Sequence, residues 1–299
     1  MRLGAVVRTL AACLPAAWAF LAGPAAAAID VIDDAGARVE LAQPATRIVS
    51  LAPHLTEQLF AIGAGDRIVG TTDFADYPAA ALRIPRVGRA HSVDLERIAS
   101  LRPDLVVVWG SGFPPATIDA VRRLGVPVFV SEPRSLADVA ASMERLGVLT
   151  GSDGTAAAAE FNAKIAALRA RYAGRSPVRV FYQVWATPLM TLSGRHVISE
   201  AIVLCGGRNV FADLPPLVPQ VSVEAVLAAD PEIVITAEAG GVPGTALSSW
   251  RQFPSLAATR RGQFVTLDAD RINRYGPRLA DEIGSLCAAI DRTRAGSIK

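Results

Sequence analysis

Two segments of the chain decide the fold: residues 94–108 read DLERIASLRPDLVVV, and residues 222–236 read SVEAVLAADPEIVIT. Each copy begins with a helix-capping side chain, Asp94 or Ser222, and a proline ends the helix. An acid and a short apolar run follow the proline, and this run is typical of a strand buried on both faces. One helix–strand unit used twice predicts two lobes of related construction, with a cleft between them that is suited to gripping a ligand.

The first 28 residues have the features of a secretory signal peptide. Arg2 and Arg8 give a positive start, the run from Thr9 to Gly23 is mostly apolar, and residues 25–28 offer a small-residue cleavage site. The apolar run is too short for a comfortable membrane span. We therefore expect an exported protein whose mature chain begins after residue 28.

Charge balance argues against one class of partner, and the cysteine count predicts a covalent bond. Two of the 30 basic residues lie in the leader, which leaves 28 basic and 28 acidic residues in the mature chain. This balance gives no reason to expect a nucleic acid as partner.

Cys13 leaves with the leader, and the remaining pair in an exported protein, Cys205 and Cys287, predicts a disulfide. Two buried free thiols are the alternative.

Strand patterns alternate with helix patterns on both sides of an alanine-rich segment, which predicts mainly parallel sheets. In the second half, Val178–Trp185 is predicted as the first strand, and Pro277 as the start of the last helix. The predicted fold class is α/β, with two Rossmann-like lobes joined by a single long backbone helix. The predicted divisions are residues 1–28 for the signal peptide, 29–150 for the N-terminal lobe, 151–175 for the linking helix and 176–299 for the C-terminal lobe.

The linking segment has the spacing of a helix with one apolar side. Its apolar residues recur at helical intervals, at Phe161, Ile165, Leu168 and Tyr172. About 20 helical residues span roughly 30 Å. We expect this helix to join the lobes.

The sequence contains no recognisable catalytic constellation. It has no Gly-rich phosphate loop, no Gly-x-Ser-x-Gly elbow, no His-Glu-x-x-His and no Cys-x-x-Cys. The three histidines His54, His91 and His196 are far apart and lack the acidic and histidine-rich accompaniment of exported zinc carriers, so neither a metal site nor a cofactor is predicted. An enzyme that uses the cleft is the rival class, and the missing nucleophile–base pattern disfavours it.

Five motifs, in the right order from about residue 45 onward, resemble the periplasmic cobalamin-binding proteins of ABC importers. They are TRIVSLAPHLTE at 46–57, DYP at 76–78, DLERI at 94–98, RPDLV at 102–106 and CGGRNVF at 205–211. The resemblance implies a class III periplasmic binding protein, with two α/β lobes, a rigid linking helix and a ligand held between the lobes.

The resemblance also implies a function. The protein would capture cobalamin or a related corrinoid in the periplasm, perform no reaction, and deliver its ligand as a monomer to the permease dimer of an ABC importer in the inner membrane. A ferric siderophore or haem carrier of the same importer class is the alternative.

The repeated glutamates, Glu96 and Glu224, match the family's docking acids. In the family an acid on each lobe docks against arginines of the permease dimer. The alternative is that each glutamate simply lies near a helix N-terminus, where the dipole favours an anion by about 0.3–1 kcal/mol.

Four residues are predicted to contact the ligand in the cleft. Phe74 and Asp270 match an aromatic and a polar ligand contact of the family. Trp109 and Trp185 end predicted strands, and the carboxyl ends of strands are where open α/β sheets bind ligands. Ordinary core or lobe packing is the alternative for the aromatic residues.

Two histidines are also expected near the ligand. His54 and His91 lie on predicted loops on the same side as Phe74. Axial ligation of a metal by either is less favoured than a capping role for His54 and a rim position for His91. Two positions depart from the family pattern, because Ala90 and Val218 occur where the family has tryptophans.

Overall fold

The computed structural model describes residues 28–89, 92–241 and 245–295. His91 lies outside these ranges, as does the predicted signal peptide apart from Ala28. Among the helices of the described residues, none is both long enough and apolar enough to cross a membrane.

Within its described residues the first lobe contains eight strands and four α-helices. The strands are β1 (Ile29–Ile32), β2 (Arg38–Leu41), β3 (Ile48–Ser50), β4 (Ile68–Thr71), β5 (Gly88–Arg89), β6 (Ser92–Val93), β7 (Leu105–Trp109) and β8 (Val128–Ser131). The helices are α1 (Pro53–Ala61), α2 (Leu95–Ser100), α3 (Pro115–Arg122) and α4 (Leu136–Thr150).

The helix α5 (Gly154–Tyr172) follows, and the second lobe comes after it. Its strands are β9 (Val178–Tyr182), β10 (Trp185–Ala186), β11 (Leu189–Met190), β12 (Gly207–Asn209), β13 (Ile233–Glu238) and β14 (Phe264–Asp268). Its helices are α6 (Val197–Leu204), α7 (Val223–Ala229), α8 (Ala257–Arg261), α9 (Ala269–Ile272) and α10 (Leu279–Arg294).

The two lobes have the same sheet topology. Each contains a four-stranded parallel sheet, ordered β4-β3-β7-β8 in the first lobe and β12-β9-β13-β14 in the second. In both sheets the spatial order is second, first, third and fourth strand along the chain. The repeated unit supplies the third strand each time, so the predicted fold class is confirmed.

The acid after each repeated proline ties the unit to the first strand of its sheet. Asp104 accepts hydrogen bonds from the amides of Thr46 and Arg47 at 2.8 and 2.9 Å, and Glu232 accepts one from the amide of Arg179 at 3.0 Å. The amide of each acid donates in return, to the carbonyl of Arg47 at 2.9 Å or of Arg179 at 2.8 Å. The two copies therefore share hydrogen bonds as well as sequence.

The apolar core is continuous between the lobes. Helix α5 packs along α4 of the first lobe and α10 of the second. Its predicted stripe is buried at Phe161, Ile165 and Tyr172. These side chains belong to one apolar cluster that also includes Leu146 of α4 and Ile290 of α10. The lobes are thus packed on a common core.

The predicted disulfide between Cys205 and Cys287 is present. Cys205 follows α6 and Cys287 lies in α10, with their Cα atoms 4.6 Å apart and both residues buried. The bond closes an 82-residue separation within the second lobe. It fixes α6 against the last helix.

Two predicted element boundaries in the second lobe are wrong. The strand predicted over Val178–Trp185 ends at Tyr182, because the amide of Val184 donates to the carbonyl of Met190 rather than to a sheet neighbour. Trp185 instead begins the short β10–β11 hairpin. The last helix begins at Leu279, not at Pro277. A run of apolar residues has the same pattern in a strand and in a hairpin arm, so periodicity alone could not separate them.

Candidate functional site

The carboxyl edges of the two sheets border a common cleft, and Trp109 lies at its centre. Trp109 ends β7 and borders three cavities of about 190, 220 and 360 Å³. The smallest cavity is also lined by Tyr182 and Ala237 from strands of the second sheet. The largest is lined by residues that follow the strands of the first lobe, including Phe74. Trp109 is therefore confirmed as a strand-end residue of the cleft, while its contact with a ligand stays a prediction.

Trp109 also joins the lobes through an aromatic cluster. Its ring meets Tyr275 of the second lobe edge to face, with centroids 6.3 Å apart, and meets His54 of α1 at 5.6 Å. The Tyr275 ring in turn lies 6.5 Å from that of His196. Among the described residues the indole N–H of Trp109 has no hydrogen-bond acceptor.

His54 lies beneath the cleft surface. Only 3% of the residue is exposed, and its ring is covered by Trp109 and Tyr275. Burial, assisted by the positive charge of Arg274, lowers the pKa of His54 to about 3, so the imidazole is neutral. In this structure its ring does not line the cleft cavities.

His196 reaches the cleft, although no motif in the sequence predicted it there. It precedes α6, accepts a hydrogen bond from the amide of Ile198 at 3.1 Å, and lines two of the cavities. Burial lowers its pKa to about 4, so this imidazole is also neutral. The cleft thus gains a neutral hydrogen-bonding ring from the second lobe.

Phe74 is presented on a loop with an unusual backbone. Its φ is +65°, a region that non-glycine residues rarely adopt, and 71% of the residue is exposed. Arg86 holds the loop by donating to the carbonyls of Thr72 and Ala75 at 3.2 and 3.0 Å. An exposed aromatic ring on a constrained loop is suited to ligand contact.

Asp270 belongs to an ionic network between the lobes. It lies in α9 rather than in the predicted loop, and its carboxylate accepts a hydrogen bond from Arg274 at 2.7 Å. Arg274 also contacts Asp76 of the first lobe at 2.6 Å and the buried Glu57 at 3.3 Å. Burial alone would raise the pKa of Asp76, but the hydrogen bond from Arg274 and its charge lower it overall. Sequence reasoning missed Arg274, since its first-lobe partners Glu57 and Asp76 are far away in the chain.

Trp185 is exposed but lies apart from the three cavities. It occupies the hairpin after Val184, with 62% of the residue accessible. Val184 itself lines the smallest cavity, as does Val218. Trp185 therefore stays a prediction as a ligand contact.

Glu96 and Glu224 occupy equivalent exposed positions. Each is the second residue of its helix, and the predicted caps are present, because Asp94 and Ser222 accept hydrogen bonds from amides of the first turn. The backbone amide of Glu224 and the Ser222 hydroxyl lower the pKa of the Glu224 carboxyl. Within the described ranges neither glutamate forms an ion pair. Both carboxylates are thus available at the surface.

Similarity to known proteins places the chain in a family. The family model for the periplasmic binding proteins matches residues 48–271. The chain belongs to this family.

Among its relatives in the family is the vitamin B12-binding protein of Vibrio cholerae, 37% identical over 246 residues that cover 82% of this chain and 88% of the relative. The crystal structure of the periplasmic vitamin B12 binding protein of the same species matches with a TM-score of 0.76 and 36% identity, covering 84% of this chain and 98% of that one. A periplasmic haem-binding protein from Roseiflexus matches with a TM-score of 0.70 and 27% identity, covering 83% and 98%. Periplasmic binding proteins of this kind bind small molecules for ABC transporters, and the relatives are named for binding rather than for catalysis.

Proposed function

We propose that this protein binds cobalamin or a related corrinoid in the periplasm and delivers it, as a monomer, to the permease dimer of an ABC importer. The observation that carries the proposal is the cleft around Trp109, in a chain 37% identical over 246 residues to a vitamin B12-binding protein. A corrinoid is a flat macrocycle with an apolar face and amide edges. A surface with an aromatic centre and hydrogen-bonding rims suits both features.

The side chains that line the smallest cavity favour a ligand whose edge is uncharged. Among the described residues its lining contains the side-chain amide of Asn273 and the neutral ring of His196, but no lysine, arginine or acid. Uncharged donors and acceptors pair well with amide groups, whereas burying a ligand carboxylate beside them would leave its charge uncompensated.

A haem remains the second candidate, and two arginines favour it. Arg134 and Arg195 line the cavity of about 220 Å³, where they could pair with carboxylates of a macrocycle. Glu132 lines the same cavity and is held by Ser111, whose amide and hydroxyl donate to its carboxylate at 2.6 and 2.7 Å. This acid opposes an anionic ligand edge, so we favour the corrinoid.

Titration of the purified mature protein decides between the candidates. Calorimetry and visible absorption with cyanocobalamin, cobinamide, haemin and a ferric hydroxamate siderophore should give a one-to-one corrinoid complex, at least about tenfold tighter than the haemin complex. Arg195→Ala is the matched variant, which should weaken haemin binding more than corrinoid binding. Tighter binding of haemin or of the siderophore would contradict the proposal.

We further propose that Glu96 and Glu224 dock on two equivalent cationic patches of the permease dimer. A two-fold partner is a natural reason to keep one exposed acid at the same place in both copies. Each exposed pair contributes about 1 kcal/mol or less, but two acids on one rigid body orient the encounter together.

A further inference from the structure

The loop of residues 72–78 is held from the opposite lobe as well as from its own. Its own lobe supplies the hydrogen bonds of Arg86 described above. From the second lobe, Arg274 contacts Asp76, and the guanidinium carbon of Arg278 lies 4.0 Å from the centre of the Tyr77 ring. A guanidinium over an aromatic face at this distance is a favourable cation–π contact.

Arg278 is itself fixed by a buried carboxylate of the first lobe. Its Nε and Nη2 atoms donate to the two oxygens of Glu57 at 2.9 and 2.5 Å, and the Glu57 side chain is only 2% exposed. Nη2 also donates to the carbonyl of Asp270 at 3.2 Å. A bidentate pair of this kind sets the plane of the guanidinium as well as its position.

The stability of α10 does not explain why an arginine occurs at position 278. Arg278 is the N-cap of α10, where the helix dipole disfavours a positive charge. Its side-chain partners in the first lobe, Glu57 and Tyr77, compensate for that placement. A residue that breaks a local rule in this way is more readily explained by a role in recognition than by helix stability.

We infer that Arg278 is a positioning residue for ligand recognition, which holds Tyr77 from across the lobes and thereby sets the orientation of the loop that presents Phe74. This inference rests on the proposed function, because Phe74 is taken as a ligand contact. Arg278 acts through the loop and not by touching the ligand.

A double-mutant cycle tests the inference in the full mature protein. Arg278→Gln should weaken cyanocobalamin binding about tenfold in calorimetry, in line with a lost cation–π contact and a loosened loop. In a Phe74→Ala background the same substitution should change the dissociation constant less than about twofold, since coupled residues are not additive. Arg278→Lys should fall between these values, because it keeps the charge but loses the bidentate geometry.

Two further variants separate positioning from folding. Tyr77→Leu removes the ring while leaving the buried pair of Glu57 and Arg278 in place, and should weaken binding severalfold at an unchanged melting temperature. Arg271→Gln is the matched control, since Arg271 pairs with Asp268 on the same segment and makes no contact with the loop in this network. It should bind like wild type.

Hydrogen exchange in the ligand-free protein tests positioning without any ligand. Amides of residues 72–77 should exchange at least about tenfold faster in Arg278→Gln and Tyr77→Leu than in wild type or Arg271→Gln. Unchanged exchange in both variants would overturn the inference, as would equal losses of affinity with and without Phe74. A wild-type protein that binds no corrinoid would instead refute the proposed function, and the exchange rates would still decide the role of Arg278.

Discussion

At the end of its repeated strand the first lobe has Trp109, and the second lobe has Ala237 at the position 128 residues later. Both residues line the same cavity of about 190 Å³. A large aromatic ring from one lobe thus lies across the cleft from a methyl group of the other. The order of the strands is the same in both lobes and both repeats carry an acid tie, whereas these two residues differ at the edge where a ligand would bind. The repeated helix–strand unit thus builds the same scaffold in both lobes, and the difference between the two residues at equivalent positions shapes the cleft between them.

The largest effect, a loss of uptake, is expected from the two glutamates that occupy equivalent positions in the two lobes. Glu96→Arg combined with Glu224→Arg should abolish cobalamin uptake, because an arginine at each proposed docking position would repel the cationic patches of the permease. Ligand affinity and melting temperature should stay close to wild type, as both residues are exposed. Uptake of radiolabelled cyanocobalamin in cells that depend on this protein measures the effect. Glu144→Arg, at an exposed position of α4, is the control; normal transport by the double variant would leave the helix-dipole explanation.

The next largest effect is expected from loss of the disulfide, which lies within the second lobe. Cys205→Ser should remove up to about 4 kcal/mol in the chain-entropy model, and lower the melting temperature by roughly 10 °C. Calorimetry of the variant and of chemically reduced wild type should agree. Labelling of unreduced, denatured mature protein should find no free thiol, and two labelled thiols would contradict the bond.

Substitutions at Trp109 and Ala237 test the difference between the two lobes directly. Trp109→Ala should weaken corrinoid binding by about 2–3 kcal/mol through lost aromatic burial. Ala237→Trp should also weaken it, because the new ring would fill the cavity that both residues line. Calorimetry with cyanocobalamin compares the two, and Ala229→Trp, at the end of α7, controls for adding an indole elsewhere. Wild-type affinity in both cleft variants would remove this cavity from the site.

A smaller difference is expected between the two exposed aromatic residues. Phe74→Ala should weaken corrinoid binding by about 1–2 kcal/mol, because Phe74 lines a cleft cavity. Trp185→Ala should cost less, since its hairpin lies apart from the three cavities. Equal losses in calorimetry would mean that the ligand extends onto the hairpin.

The smallest effect, a modest loss of stability, should be similar when either acid tie is weakened. Asp104→Asn and Glu232→Gln each weaken the hydrogen bonds to the first strand, and should each cost about 1 kcal/mol, or 2–4 °C in melting temperature. Thermal unfolding of the two variants, beside Asp119→Asn as an exposed control, gives the comparison. A large difference between the two would show that the two acids do not stabilise their lobes equally.

The sequence predicted the scaffold because the scaffold depends on local rules. Capping residues, prolines and apolar runs place α2, β7, α7 and β13, and the count of cysteines in an exported chain predicted their bond. The cleft was predicted less completely. The pair formed by Glu57 and Arg278 joins residues 221 positions apart, and no spacing rule connects them. Only the packing of the lobes brings His196 and Tyr275 to the cleft cavities and Arg274 into the ionic network between the lobes. Trp185 lies in a hairpin rather than in the predicted strand, and the alternation of apolar residues does not distinguish the two.

The continuous apolar cluster between the lobes has a consequence for the thermodynamics of binding. Opening the cleft widely would expose part of that cluster to water, at roughly 25 cal/mol for each Å² of apolar surface. The cleft is therefore preorganised, and little of the interaction energy of a ligand is consumed in moving one lobe against the other. Affinity would then depend mainly on how well the rigid walls fit the ligand, and any wide opening of the lobes would strain the shared core.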